Sequence, residues 1–374
     1  MKRFFRMILL CLIIVMCSGC GTKPGPTWQY TDIAMGTIIQ QHIYSADDEA
    51  AQKTSHQVMS LINDLEDRQI SWREESSELA KINATAGTGE SVVLSPEMAS
   101  VLQQCMDVWE KSDGAFDITI GSVARLWNID AWAAGEQEGN FVLPDATTIQ
   151  EALQNSGSGK IAEQVKTVIG HIGETDNNTE GTNNAGTVTL SLPYGMQLDL
   201  GAVGKGLVLS YIHDLLKEQN EITAAIISAG GSILIYGTKP DGSNWNVGIV
   251  DPLDTSQSIA TLSLESGWYI ATSGDTERYV EVDGVRYHHI LDPATGYPAA
   301  SGVRSVTIIS RDGLLSDALS TACFVLGVEK GMELAESYGA EAFFVLEGRD
   351  VVMSEGLVED STGLIHCCSQ SPQS

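Results

Sequence analysis

Apolar and polar positions recur along the chain in patterns that set out most of its elements. From Trp28 to Tyr44 the chain reads as strand, broken at Met35-Gly36-Thr37. Ser45, followed by Asp47, Asp48 and Glu49, starts a helix, and Val58, Leu61, Ile62 and Leu65 keep helical spacing toward Ile70. Ser95-Pro96 caps a second helix, whose inner face carries Met98, Val101, Leu102, Cys105 and Val108. Residues 131–186 are less regular, and 171–186 form a polar Gly/Asn-rich insertion that reads as a loop. The pattern then tightens into strands at 187–192 and 197–200, a helix over 203–217 and a buried strand over 224–228. Short strands continue to about Ile309, followed by helices over 316–326 and 330–338 and a hairpin near 342–352. No segment repeats at a fixed period. The mixture predicts an α+β fold, one continuous domain over 30–356 followed by a polar tail over 357–374.

The first twenty residues follow a different plan. Lys2, Arg3 and Arg6 precede an apolar run of about ten residues and then the small residues Ser18 and Gly19, which is the layout of a secretory signal. The run is too short to span a bilayer. Cys17-Ser18-Gly19-Cys20 resembles a bacterial lipoprotein box, with Cys17 standing where Leu is usual. The expectation is therefore a signal peptide over 1–19, a lipid on Cys20 that anchors the chain to the outer face of a bacterial cell membrane, and a tether over 20–29.

Composition narrows the function. Over 374 residues, 21 Lys+Arg stand against 49 Asp+Glu, a formal charge of -28. Loss of residues 1–19 leaves 18 cations against 49 acids, or -31. Such a surface excludes nucleic acid as a partner, because phosphate binding releases counterions only against a basic face. Any phosphate must be met locally, by a metal ion, backbone amides or a few placed cations. Hydrophobic residues at 43% supply a sizeable core, to which Cys105 and Cys323 belong by their apolar surroundings.

Four constellations carry candidate chemistry. In LDLGAVGKG (198–206) three glycines run from a strand end into a helix start beside Lys205, which fits either a tight turn or an anion site. Gly230-Gly231 lies between two apolar runs and marks either a bulge or a close approach to a flat ligand. His288-His289 ends a strand just before the turn Asp292-Pro293-Ala294-Thr295-Gly296, and alternation lets only one of the two histidines face a site as a base. Asp317 and Thr321 lie four apart on one helical face, where they could serve as hard oxygen ligands for magnesium, or where Asp317 or Ser316 could simply cap the helix. GAFDITIG (114–121) follows a turn, and Trp72 could cover the core or stack on a planar ligand.

These segments, in this order and together with AMGT (34–37), SELAKIN (77–83), SAGGSILIYG (228–237), ATSGDTERY (271–279) and HHILDPATGYP (288–298), resemble the ApbE family of FAD:protein FMN transferases. The resemblance implies an α+β, T-fold-like catalytic domain with mixed sheets and packed helices. It implies Mg²⁺-dependent transfer of FMN from FAD to a Thr or Ser hydroxyl of a flavoprotein, with release of AMP. Its motif positions imply metal ligation by the backbone carbonyl of Ala202 with Asp317 and Thr321, and a catalytic base at His289. They imply an FAD site at Met35, Trp72, Ala115, Phe116, Asp117, Asp199, Lys205 and Ile290. The acceptors of such enzymes are exported or membrane-bound flavoproteins with a Thr-containing motif. One extra residue between Trp72 and Glu78 departs from the family spacing, and the 171–186 insertion is long for the family. Two other readings share the pocket: an Mg²⁺-dependent FAD pyrophosphatase giving FMN and AMP, and a lipoprotein that binds FAD without chemistry.

Overall fold

The computed structural model describes residues 27–166 and 188–368. The expected signal peptide, Cys20 and the 171–186 insertion lie outside the described residues. Among those described, no helix is long and apolar enough to cross a membrane.

An eight-stranded sheet organises the chain. Its order is Thr27–Ala34, Thr37–Ser45, Ile222–Ala229, Ser232–Gly237, Tyr269–Gly274, Val303–Ser310, Glu341–Leu346 and Val351–Met353, with every neighbouring pair antiparallel. The central strands are apolar on both sides because both faces of the sheet are covered. In Ile222–Ala229, Ala225, Ile227 and Ala229 enter the core beneath the helices, while Ala224 and Ile226 enter a second core. The helices over the first face are Asp48–Leu65, Gly204–Lys217 and Gly313–Leu326, with Pro96–Lys111 behind them. A four-stranded sheet covers the other face in the order Leu357–Glu359, Leu364–Cys367, Asp254–Leu264 and Trp245–Asp251.

That second sheet corrects the expected tail. Residues 357–367 are not a polar appendage: Leu357 and Ile365 are buried, and Leu364–Cys367 pairs in parallel with Asp254–Leu264. Two buried apolar residues among many polar ones gave too short a pattern to read as strand. Strand pairing begins at Thr27, inside the span 20–29 expected as a tether. Residues 197–200 form no strand but a single parallel bridge between Gln197 and Ile120. Backbone of Ile118 and Gly121 meets Asp199 and Gln197, and a side chain meets Leu198: the Asn83 amide donates to the Leu198 carbonyl at 3.0 Å and accepts from the Leu198 N–H at 2.7 Å. Asn83 ends the SELAKIN segment, which itself forms a short helix, Glu78–Ala84, that hydrophobic spacing had not revealed.

A smaller cluster stands beside the main core. Trp127, Ile129, Ile149 and Leu291 pack there, drawn from the short helices Gly121–Trp127, Ile129–Ala133 and Ala146–Gln154 and from the chain after the hairpin Tyr279–Val282/Val285–His288. Trp127 stacks on Tyr287 at 5.7 Å and donates its indole N–H to the Gly296 carbonyl at 2.7 Å. Gly296 has φ +75, and a Cβ there would meet Ile149 at 2.7 Å, so the turn after the histidine pair needs glycine. This cluster fixes where the histidines lie relative to the main sheet.

Candidate active site

The Asp317 carboxylate is the corner on which the site is built. Helices Gly204–Lys217 and Gly313–Leu326 cross so closely that a Cβ on Gly206 would stand 1.9 Å from the Gly313 carbonyl oxygen. This contact brings Asp317, itself buried, to the start of the first helix. Its Oδ2 accepts from the Gly206 N–H and its Oδ1 from the Ser232 hydroxyl, both at 2.6 Å. No side chain caps this helix end, so the Asp317 carboxylate satisfies one of its open donors. Ala202, four residues before Gly206, lies ahead of the Val203 cap, so its carbonyl stands outside the helical ladder. Thr321 lies one turn beyond Asp317 on the same helix and is half-buried.

Among the described residues no three His, Cys, Asp or Glu side chains cluster as a metal cage. A cation here would rely on one carboxylate, one carbonyl and one hydroxyl. Magnesium suits such a set, since it takes few protein oxygens and keeps its waters. The Ala202 carbonyl, outside the helical ladder, and the remaining lone pairs of Asp317 are consistent with that use.

The histidine pair divides as alternation requires. His288 points inward, 6% exposed, with Nε2 on the Ala299 carbonyl at 3.0 Å and its ring edge-on to Phe324. Burial lowers its pKa to about 4. His289 faces the cleft, half-buried, and its Nδ1 lies 3.2 Å from the Arg278 carbonyl. A carbonyl only accepts, so Nδ1 carries the proton and Nε2 keeps a free lone pair. Burial, joined by the Arg278 and Lys205 charges and opposed by Asp130, lowers the His289 pKa to about 4. His289 is thus neutral at physiological pH, the state a general base needs.

The expected flavin wall divides into two kinds of residue. Met35, Trp72, Asp199 and Lys205 present side chains. Met35 sits in the left-handed turn between the first two strands (φ 52), tied by its N–H to Glu66 at 3.0 Å, with its methyl 3.5 Å from where a Gly204 Cβ would stand. Trp72 carries two guanidiniums over its ring, Arg73 at 4.3 Å and Arg125 at 4.5 Å. The other residues face away. Phe116 and Ile290 are core side chains, 2% and 6% exposed. Asp117 accepts from Thr119 N–H and Oγ1 and from Ser158 N–H and Oγ, so its side chain ties loops together. What Ala115–Asp117 and Ile290 offer a ligand is therefore backbone.

Gly230-Gly231 is the two-residue turn between Ile222–Ala229 and Ser232–Gly237 rather than a bulge, with Gly230 at φ +57. A Cβ on Gly231 would meet the Glu277 carboxylate at 2.8 Å, so the close packing of this turn on Glu277 requires a bare backbone.

Electrostatic coupling joins these pieces into one site. Asp199 feels Asp130, Arg125 and Arg73; Asp130 feels Arg278 and His289; His289 feels Lys205; and Glu277 feels Lys205 and Asp317. Asp199 and Glu277 both have raised pKa values, chiefly from the protein mass around them, although solvent reaches both. Four cations, Arg73, Arg125, Lys205 and Arg278, belong to this network in a chain with only 21 Lys+Arg.

Several of these residues had no expected role. Ser232, Glu277 and Arg278 lie inside the quoted segments SAGGSILIYG and ATSGDTERY, so their stretches were marked but not the residues. Arg73, Arg125 and Asp130 carried no local signal, because only tertiary folding brings them to the cleft.

Comparison with known proteins agrees with this architecture. The ApbE family model matches residues 35–344. A protein of Treponema pallidum named FAD:protein FMN transferase is 32% identical over 361 residues, covering 94% of this chain and 93% of its own. The crystal structure of the ApbE protein of Thermotoga maritima superposes with a TM-score of 0.72 at 32% identity, over 88% of this chain and 97% of that one. The flavin transferase ApbE of Vibrio cholerae gives 0.69 at 26% identity, over 88% and 97%. With this fold, these segments in register and relatives matched along nearly their whole length, the chain belongs to the ApbE family.

Proposed function

We propose that this protein is an FAD:protein FMN transferase that moves FMN from FAD to a Thr or Ser hydroxyl of a flavoprotein, in an Mg²⁺-dependent reaction that releases AMP. The observation that carries this reading is the presence in one cleft of a neutral His289 with a free Nε2, a hard-oxygen corner at Asp317, and Lys205 between them in the charge network. A site for storage alone needs neither a base nor a metal corner.

The roles follow from the geometry. Ala202, Asp317 and Thr321 would hold Mg²⁺ through their oxygens. The bound ion supplies Lewis acidity to a pyrophosphate and orients its phosphorus for in-line displacement. Lys205 and the Gly201–Gly206 backbone meet phosphate charge that the acidic surface would repel. Met35 and Trp72, with the backbone of Ala115–Asp117 and Ile290, would line the flavin and adenine walls. Asp199, held between Arg125 and Arg73, fixes the polar side of that wall. His289 takes the acceptor hydroxyl proton on Nε2 while Nδ1–H stays on the Arg278 carbonyl.

We place the enzyme outside the cytoplasmic membrane, lipid-anchored at Cys20, with exported or membrane-bound flavoproteins as acceptors. The basic start, the apolar run and the Cys17–Cys20 segment support this. Labelling with a fatty-acid probe should mark the wild-type chain and not Cys20→Ser.

The activity is tested with purified protein, FAD, Mg²⁺ and a Thr-bearing acceptor domain, following AMP and acceptor mass together. AMP with a flavinylated acceptor is the expected result. AMP and free FMN with an unmodified acceptor would make the protein a pyrophosphatase, and bound FAD without AMP would make it a carrier.

A further inference from the structure

One backbone carbonyl holds His289 twice. The Arg278 oxygen accepts the His289 N–H at 3.1 Å and lies 3.2 Å from its Nδ1. The Arg278 guanidinium extends to Asp130 at 3.2 Å. Asp130 reaches this position because Asn128, in the left-handed conformation (φ 48), turns the chain between helices Gly121–Trp127 and Ile129–Ala133. Asp130 Oδ1 is buried and faces Arg278 Nη1 in this ion pair.

We infer that Asp130 and Arg278 form a positioning pair for His289: Arg278 fixes the ring and its tautomer, and Asp130 supplies the negative charge against which the imidazolium forms. The inference rests on the transferase reading and extends it to two residues outside the implied site. In the step concerned, the acceptor O–H proton passes to His289 Nε2 as the acceptor oxygen bonds to phosphorus. The bond from that phosphorus to the bridging oxygen breaks, and AMP leaves with the electron pair. His289 gains one positive charge, later lost with the proton to solvent. Two cations face it, Arg278 on the segment before the Tyr279–Val282 strand and Lys205 on the Gly204–Lys217 helix, and both oppose that charge. Asp130 favours it, and the Arg73 charge acts in turn on Asp130. A base ringed by cations alone would take a proton poorly; the carboxylate offsets them.

The test is an imidazole NMR titration of His289 in the full chain without FAD, for wild type, Asp130→Asn, Arg278→Gln and Arg278→Lys, beside pH profiles of kcat/KM. Asp130→Asn should lower the His289 pKa and Arg278→Gln should raise it, each by about one pH unit. Arg278→Lys keeps the charge and should return the wild-type titration, which separates charge from a general loss of fold. Asp130→Asn should reduce kcat about tenfold with little change in the KM for FAD. Superimposable titrations, or shifts in the same direction for Asp130→Asn and Arg278→Gln, overturn the pairing. The expected shifts in a protein that transfers no FMN would leave the pair standing and remove the transferase reading instead.

Discussion

Gly206 and Asp317 lie 111 positions apart and share a 2.6 Å hydrogen bond that closes a helix crossing and shapes the proposed metal corner at once. The absence of a side chain at Gly206 is what permits the crossing. Gly206→Ala would drive a methyl group into the Gly313 carbonyl, and the expected loss of stability is about 3 kcal/mol or more, read from urea unfolding. Asp317→Asn keeps the shape and removes the charge. It should weaken Mg²⁺ binding, measured by calorimetry, by more than the roughly 10- to 100-fold typical of partners one layer out. Unaltered Mg²⁺ affinity would place the metal elsewhere.

The proposed base has a pH signature. His289 must be neutral to accept a proton, and its pKa is lowered to about 4. The free enzyme's kcat/KM should therefore stay level from pH 8 to pH 6 on this account and fall only as pH approaches about 4. An inflection near 6.5 would show an imidazole in an ordinary environment. His289→Ala should cost about 10²- to 10⁴-fold in kcat while FAD still binds.

His288 bears on stability instead. In the unfolded chain it would titrate near 6.5, whereas burial in the fold lowers it to about 4. Between those values the unfolded state binds the extra proton. Its contribution is thus complete above pH 6.5 and is lost as pH falls toward 4, at a slope of at most about 1.4 kcal/mol per pH unit. His288→Gln should flatten the unfolding free energy measured across that window, and an unchanged slope would assign the pH dependence to other groups.

Trp72 and Arg125 should act together on FAD. The guanidinium lies 4.5 Å from the ring centroid, so a planar ligand entering here must share or displace that stack. Trp72→Ala and Arg125→Ala are each expected to raise the KM for FAD about tenfold, with the double variant adding little to either. Fully additive effects would mean that the two residues act at separate places.

Much of the fold was legible where local pattern decides structure. The buried faces of Asp48–Leu65 and Pro96–Lys111 repeat every three or four residues, and the Asp47 and Ser95 caps stand where their chemistry demands. Residues 197–200 misled because Leu198 and Leu200 alternate like a strand while the side chain of Asn83, far away in sequence, meets the Leu198 backbone. Residues 357–367 misled because a short sheet needs only two buried apolar side chains. In the site, alternation left open which of His288 and His289 faces outward, and the resemblance alone named His289 and Asp317. Asp130 was named by neither: its position depends on one left-handed Asn128 and on a salt bridge to a residue 148 places on.

The pairing of Thr37–Ser45 with Ile222–Ala229 has a further effect on how the molecule comes into being. The second strand pairs locally with the first, but its other edge must wait for a partner made nearly two hundred residues later. Gly206 waits in turn for Asp317, 111 positions on. Contacts so distant along the chain make assembly slow and leave few native intermediates on which to rest. A chain emerging from synthesis would therefore stay open until its last third has arrived, and would complete the candidate site only at the end.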